Sequence, residues 1–371
     1  MEICPVCKTT YSLPICACCG YDESQDCLRY PTLMVSTSPL PSFRKKRRWM
    51  QNHVRCLGCG SQQFNVRMTD RVHICCSCGR AMEQSEMDAQ IRRYHAQAKK
   101  TVPVIMEIAA GQSHIAALYS DGTVRAIGDH DKGACDTENW TDIQSICAGH
   151  YLTIGLKDNG RVVATGERAS GQCDVSDWEN ISSLAAGRFH VLGSRYDGSV
   201  VATDSDGEGG ETARFWTGIK ALSANIEHTL GLSFEGKVFV AGQMNNGRDD
   251  VDSWSDIEEI CAGYSHSLGL NGEGKVFFAG PDGIGGEEVE KWTDIKCIAA
   301  GMNLSVGVRT DGTVVTAGNN PWAEETDRWQ NVESVAVGFD MIVGLCADGT
   351  VLLAGDQKKY DISRLLPDVS P

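Results

Sequence analysis

Glycine returns at Gly111, Gly149, Gly187, Gly263, Gly301 and Gly338, and Asn225 stands at the one missing mark. The spacing is 38 residues five times and then 37, so seven similar segments follow one another from about residue 104 to 357. Self-similarity at a fixed period restricts the chain to a solenoid, an array or a closed propeller, because one unit cannot bury its apolar face alone. Such a fold is a platform and does not by itself name a chemistry.

Each unit reads as strands and turns. An apolar run leads into the column glycine, as in Ile108-Ala-Ala-Gly111 and Ile146-Cys-Ala-Gly149. A second glycine follows eleven residues later after a polar residue: Asp121-Gly122, Asn159-Gly160, Asp197-Gly198, Glu235-Gly236, Glu273-Gly274, Asp311-Gly312 and Asp348-Gly349. Asp-Gly or Asn-Gly between apolar runs marks a tight hairpin, since the primed turn needs positive φ. The next run is rich in Val and Ala and ends in Gly128, Gly166, Gly242, Gly280, Gly318 or Gly355, with Asp204 breaking the column. Trp140, Trp178, Trp216, Trp254, Trp292 and Trp329 then recur in register. A ring at a fixed register packs one sheet on the next, because it buries a large area in a set orientation. The first segment has Val102 in that place. The chain is therefore expected to enter mid-blade, with the strand near Val104–Ala109 completing the last blade and removing open sheet edges.

The glycine column, the Asp-Gly turns, the histidine three residues after the column and Gly171-Gln172-Cys173 together resemble the regulator of chromosome condensation repeat. The resemblance covers about 255 of the 371 residues and is closer to compact bacterial versions, such as the second-type β-lactamase inhibitor protein. It implies a seven-bladed β-propeller. In that inhibitor, aromatic loop residues around one face contact the target enzyme. The best-known family member is a guanine-nucleotide exchange factor that uses an inserted wedge. All units here keep 37 or 38 residues, which leaves no room for one.

Residues 1–100 carry no repeat and hold 11 of the 17 cysteines. The spacings are Cys4-x2-Cys7-x8-Cys16-x2-Cys19 and Cys56-x2-Cys59-x15-Cys75-x2-Cys78. Two such knuckles supply the four thiolates of a closed tetrahedral zinc site, so two structural zinc ions are expected. Iron–sulfur ligation and disulfides are the rival readings. The start Met-Glu-Ile-Cys lacks the basic and apolar regions of a secretory signal, and the other six cysteines show no paired spacing. Both points favour a reducing, cytoplasmic setting. Cys18, Cys27 and Cys76 are left over. The expected organisation is zinc ribbon 1 at 1–30, a linker at 31–54, ribbon 2 at 55–82, a helix and linker at 83–101, the propeller at 102–360 and a C-terminal tail at 361–371. Ser85 can cap the helix, which places Met87, Ile91, Tyr94 and Ala98 on one stripe.

The linker contains Arg44, Lys45, Lys46, Arg47 and Arg48. Residues 1–100 have 15 Lys+Arg against 8 Asp+Glu, a balance of +7, whereas 101–371 have 19 against 41, a balance of −22. The basic run is either a solvated linker balancing an acidic propeller or a footprint for nucleic acid or another polyanion. No apolar stretch approaches a membrane span.

No catalytic constellation is legible. His114, His190, His228 and His266 recur, which points to packing. Asp204-Ser205-Asp206 and Asp249-Asp250-Val251-Asp252 lack calcium-loop spacing, and neither a phosphate loop nor a nucleophile elbow is present. The two residues after each column position vary while their frame stays fixed. They include Tyr151, Phe189, Tyr264, Met302 and Phe339, expected as one ring on one face. Aromatics and Met among charged loops have the composition of a binding hot spot; the alternative is a plug for the channel mouth. The reading is an all-β, non-enzymatic interaction protein: two zinc ribbons and a short helix before a seven-bladed propeller whose face binds a protein partner. An exchange factor for a small GTPase and a nucleic-acid binder acting through the ribbons are the alternatives.

Overall fold

The computed structural model describes residues 103–366 apart from Ser170, 204–208 and 244–246, together with the backbone of short strands in the first 82 residues. Those strands pair antiparallel as Glu2–Ile3 with Thr10–Tyr11, Tyr21–Asp22 with Cys27–Leu28, and Phe64–Arg67 with Val72–Cys75, which also pairs with Ala81–Met82. The side chains of all eight expected zinc ligands, the basic run 44–48 and the helix expected after Ser85 lie outside the described residues.

From residue 105 the chain makes seven three-stranded antiparallel sheets, each built from consecutive strands. The inner strands are Ile105–Ala110, Ile143–Ala148, Ile181–Ala186, Ile219–Ala224, Ile257–Ala262, Ile295–Ala300 and Val332–Val337. The middle strands are His114–Tyr119, Leu152–Lys157, Val191–Arg195, His228–Ser233, Ser267–Asn271, Leu304–Arg309 and Met341–Cys346. The outer strands are Val124–Gly128, Val162–Gly166, Val200–Ala202, Val238–Gly242, Val276–Ala279, Val314–Gly318 and Val351–Gly355. We number the sheets as blades 1 to 7. The middle-to-outer turns use Gly122, Gly160, Gly198, Gly236, Gly274, Gly312 and Gly349, all at φ between 78° and 89°. Every inner strand carries a register shift after its first residue, which bends it at the same point in each blade.

The core lies between blades. Leu152, Ile154 and Leu156 of blade 2 pack with Trp178, Ile181 and Val191 on the blade 3 side. Leu304, Val306 and Val308 of blade 6 pack with Trp329, Val332 and Ile342 on the blade 7 side. Each repeat tryptophan covers a glycine in the following middle strand: Gly155, Gly193, Gly231, Gly269, Gly307 and Gly344. A Cβ on any of them would lie only 2.6–3.1 Å from the ring. The residue before the inner strand is left-handed in blades 2 to 7: Asp142, Asn180, Asp256, Asp294 and Asn331 at φ 56–64°, and Gly218 at 69°. Asn, Asp and Gly tolerate that conformation best, which explains the recurring Trp-x-Asp/Asn-Ile.

The ring closes differently from the sequence expectation. Ile105–Ala110 pairs inside its own blade, from Ile105↔Tyr119 to Ala110↔Ile115, and blade 7 has three strands of its own. Among the described residues no strand is exchanged. Instead the segment after Gly355 runs onto blade 1, where Tyr360 and Leu365 are fully buried among Ile105, Ile115, Tyr119, Met341 and Val343. The short 3-10 helix Ile362–Leu365 ends with Leu365 O accepting a hydrogen bond from Tyr119 Oη, and Arg125 donates to Leu366 O at 3.3 Å. This segment fills the place that a tryptophan fills between other blades. Accordingly blade 1 has Ala117 where blades 2 to 7 have the ring-receiving glycine. Residues 361–366 of the expected tail thus lie in the closing seam.

Candidate interaction site at the channel mouth

The inner strands surround a central cavity of about 310 Å3. At one end the column positions of neighbouring blades touch: a Cβ on Gly111 would meet Gly149 O at 2.5 Å, and one on Gly338 would meet Gly111 O at 2.6 Å. Backbone bonds tie the mouth further, with Gln112 N donating to His150 O at 3.3 Å, His150 N to Gly187 O at 3.2 Å and Tyr264 N to Gly301 O at 3.1 Å.

The two residues after each column position form two rows. The first row lines the cavity and reads, from blade 1 to blade 7, Gln112, His150, Arg188, Ile226, Tyr264, Met302 and Phe339. The second row sits beside the loop that follows each blade's own outer strand, as Tyr151 O accepts from Glu167 N at 3.0 Å and Asn303 O from Asn319 N at 3.0 Å. The five residues expected as one ring are therefore divided. Tyr264, Met302 and Phe339 belong to the inner row on three consecutive blades, whereas Tyr151 and Phe189 belong to the outer row on blades 2 and 3. Met302 and Phe339 are 42% and 46% exposed, and Tyr151, Phe189 and Tyr264 are partly buried.

The inner row has two halves. Blades 1 to 3 present Gln112, His150 and Arg188; blades 4 to 7 present apolar or aromatic groups. His150 packs edge-on against Tyr151 at 4.6 Å between ring centres, and the Arg188 guanidinium lies 4.6 Å from the centre of the Phe189 ring. Burial first, and then the charge of Arg188, pushes the His150 pKa down to about 4, so the imidazole is neutral at pH 7. Gln112 Oε1, His150 Nδ1 and Arg188 Nε are all shielded from solvent and lack a hydrogen-bond partner among the described residues. Sequence reading missed these three, and their adjacency on blades 1 to 3 was the available signal. Two outer-row carboxylates are tied down: Glu227 meets the buried Arg248 at 2.5 Å, and Asp340 meets Lys359 at 2.7 Å and Tyr360 Oη at 2.6 Å.

The recurring histidines are clamps between blades. His114 Nε2 meets Thr153 Oγ1 at 2.9 Å, His190 meets Thr229 at 2.8 Å, His228 meets Ser267 at 2.9 Å and His266 meets Ser305 at 3.0 Å. Thr153 and Ser267 pass their own protons to Ala134 O and Arg248 O. Where the histidine is replaced by Leu152, Leu304 or Met341, the facing residue is Val191, Ile342 or Ile115. The pairing holds around the whole ring, including the seam from blade 7 to blade 1. Burial pushes the pKa of His114 and His266 down to about 4 and that of His228 to about 3. These imidazoles are consumed by structure.

The six propeller cysteines are free thiols. Burial pushes Cys147 and Cys261, in the inner strands, up to about 12. Among the described residues no three His, Cys, Asp or Glu side chains stand together to hold a metal ion, and no helix is long and apolar enough to cross a membrane.

Seven sheets around one channel define a β-propeller with three-stranded blades. Two solved structures agree on the fold. The Crinkly WD40 ectodomain of the Arabidopsis thaliana receptor kinase ACR4 matches at TM-score 0.52 and 18% identity, over 68% of this chain and 96% of that one. The entire ectodomain of the Physcomitrella patens receptor kinase CR4 matches at 0.52 and 16%, over 68% and 73%. Yeast RCC1 (Prp20), solved bound to Kap60, matches at 0.44 and 18%, over 69% and 71%. No protein-family model and no curated protein matches the chain.

Proposed function

We propose that this chain is a non-enzymatic interaction protein whose propeller offers the channel mouth to a protein partner. One observation carries the reading: Tyr264, Met302 and Phe339 stand on consecutive blades at the mouth, and the last two are among five large apolar residues left exposed in the described structure. Exposed apolar groups gathered at one concave place mark binding surfaces. The non-enzymatic reading is supported by the recurring histidines, which all spend a ring nitrogen on an inter-blade bond. In this proposal the eight N-terminal cysteines hold two structural zinc ions, and Arg44, Lys45, Lys46, Arg47 and Arg48 offer a polyanion site separate from the acidic propeller. The test is capture of partners from the native cell with the full chain and with the Tyr264→Ala/Met302→Ala/Phe339→Ala variant. A protein retained by the first and lost by the second is expected. Identical sets of captured proteins would refute the mouth as the partner face.

A further inference from the structure

We propose that the mouth recognises a free C-terminal residue of the partner: its α-carboxylate on Arg188 and His150, its backbone N–H on Gln112 Oε1, and an apolar side chain against Met302 and Phe339. This rests on the partner-face reading above and names the part of the partner that is held.

Three polar atoms at the mouth are unpartnered: Gln112 Oε1, His150 Nδ1 and Arg188 Nε. A donor or acceptor shielded from water without a partner is costly, and three stand on adjacent blades; in the proposal these half-buried side chains turn toward the cavity to meet a ligand's polar groups. Arg188 Nε can only donate. Among the described residues its guanidinium has no carboxylate partner and rests on the Phe189 ring. Stacking orients the planar fork, which suits two-point recognition of a carboxylate. The neutral His150 ring has one nitrogen that donates and one that accepts, so Nδ1 adds a donor in the matching tautomer. Gln112 Oε1 only accepts, and asks for an N–H close to the carboxylate.

A carboxylate and an N–H on neighbouring atoms, with an apolar group branching from the carbon between them, is the chemistry of the last residue of a polypeptide. The opposite arc, with Met302 42% and Phe339 46% exposed, supplies the apolar wall. The cavity of about 310 Å3 is at the lower end of ligand-pocket sizes and suits one residue and its flanking backbone. The propeller's balance of −22 also matters, since an acidic surface would repel acidic chains generally and leave Arg188 to select by position.

The test uses the full-length protein and the probe N-acetyl-Gly-Ser-Gly-Phe with a free C-terminal carboxylate. The same peptide as a C-terminal amide is the comparison, and binding is followed by titration calorimetry. The free acid is expected to bind, with the amide weaker by about tenfold or more, as loss of a charged hydrogen-bond partner implies. Arg188→Met should reduce binding of the acid to the level of the amide, and Phe339→Ala, at an exposed position, should weaken it several-fold. Arg161→Met, on an exposed ion pair with Glu179, should leave it unchanged. Equal binding of acid and amide, undiminished binding by Arg188→Met or Phe339→Ala, or no binding of the acid at millimolar concentration would each overturn the proposal. A captured partner that still depends on Tyr264, Met302 and Phe339 while the free acid fails to bind would sink this inference and leave the partner-face reading standing.

Discussion

At the scale of single residues, the inter-blade clamps make a pH-dependent contribution to stability. Buried His114, His228 and His266 bind a proton more weakly when folded than at the ordinary histidine value of 6.5. The unfolded chain therefore takes up more protons below pH 6.5. Stability from these groups is whole above about 6.5, falls as the pH drops, and the loss levels off near 3 to 4. The loss is on the order of 3 kcal/mol per histidine if it stays neutral until the folded value is passed. Denaturant unfolding at pH 7.5, 6 and 5 should show this slope. His266→Leu alone should cost about 1–3 kcal/mol at pH 7.5, since Ser305 loses its clamp partner. The double change His266→Leu/Ser305→Val copies Leu152 facing Val191, and should restore much of that loss while flattening the acid slope. A double variant as acid-sensitive as the wild type would show that the slope has another source. The same pairing was legible in the sequence: four histidines face hydroxyls, and three aliphatics face aliphatics. Its meaning needs the fold, because the partners lie 39 residues apart, one period plus one, and only blade adjacency brings them together.

At the scale of elements, hairpins, turn glycines and the tryptophan register were readable because they depend on local backbone demands and fixed spacing. The closing seam was not. Val102 in the tryptophan's place points to a strand exchange, but Ile105–Ala110 pairs inside its own blade and the segment after Gly355 fills the gap. Ala117 in place of glycine leaves no room for an indole, and Leu365 lies in the same buried cluster. Leu365→Ala should cost about 2–5 kcal/mol, as buried Leu truncations do. Removal of residues 356–371 should lower the melting temperature of the whole propeller in one transition, because the seam joins the first blade to the last. A truncated protein that melts like the full chain would show that the ring closes without this segment. The five residues expected as one ring divide between two rows for a related reason. Adjacent residues at the mouth point to different places, so Tyr151 and Phe189 fall outside the row that holds Tyr264, Met302 and Phe339.

At the scale of the whole molecule, an acidic propeller follows a basic, cysteine-rich segment. If both four-cysteine sets hold metal, the purified protein should contain two zinc ions per chain, and Cys56→Ser should remove one while the propeller's thermal transition persists. Metal analysis giving fewer than two equivalents in folded, reduced protein would count against at least one set. Partner binding at the mouth is tested by the affinity of a captured partner for the single variants Tyr264→Ala, Met302→Ala and Phe339→Ala beside the wild type, with melting curves for each. At least one is expected to lose about 2 kcal/mol or more of binding, roughly thirtyfold, while its melting temperature barely moves. Three variants that bind at wild-type strength would contradict it and make these side chains a plug in the channel.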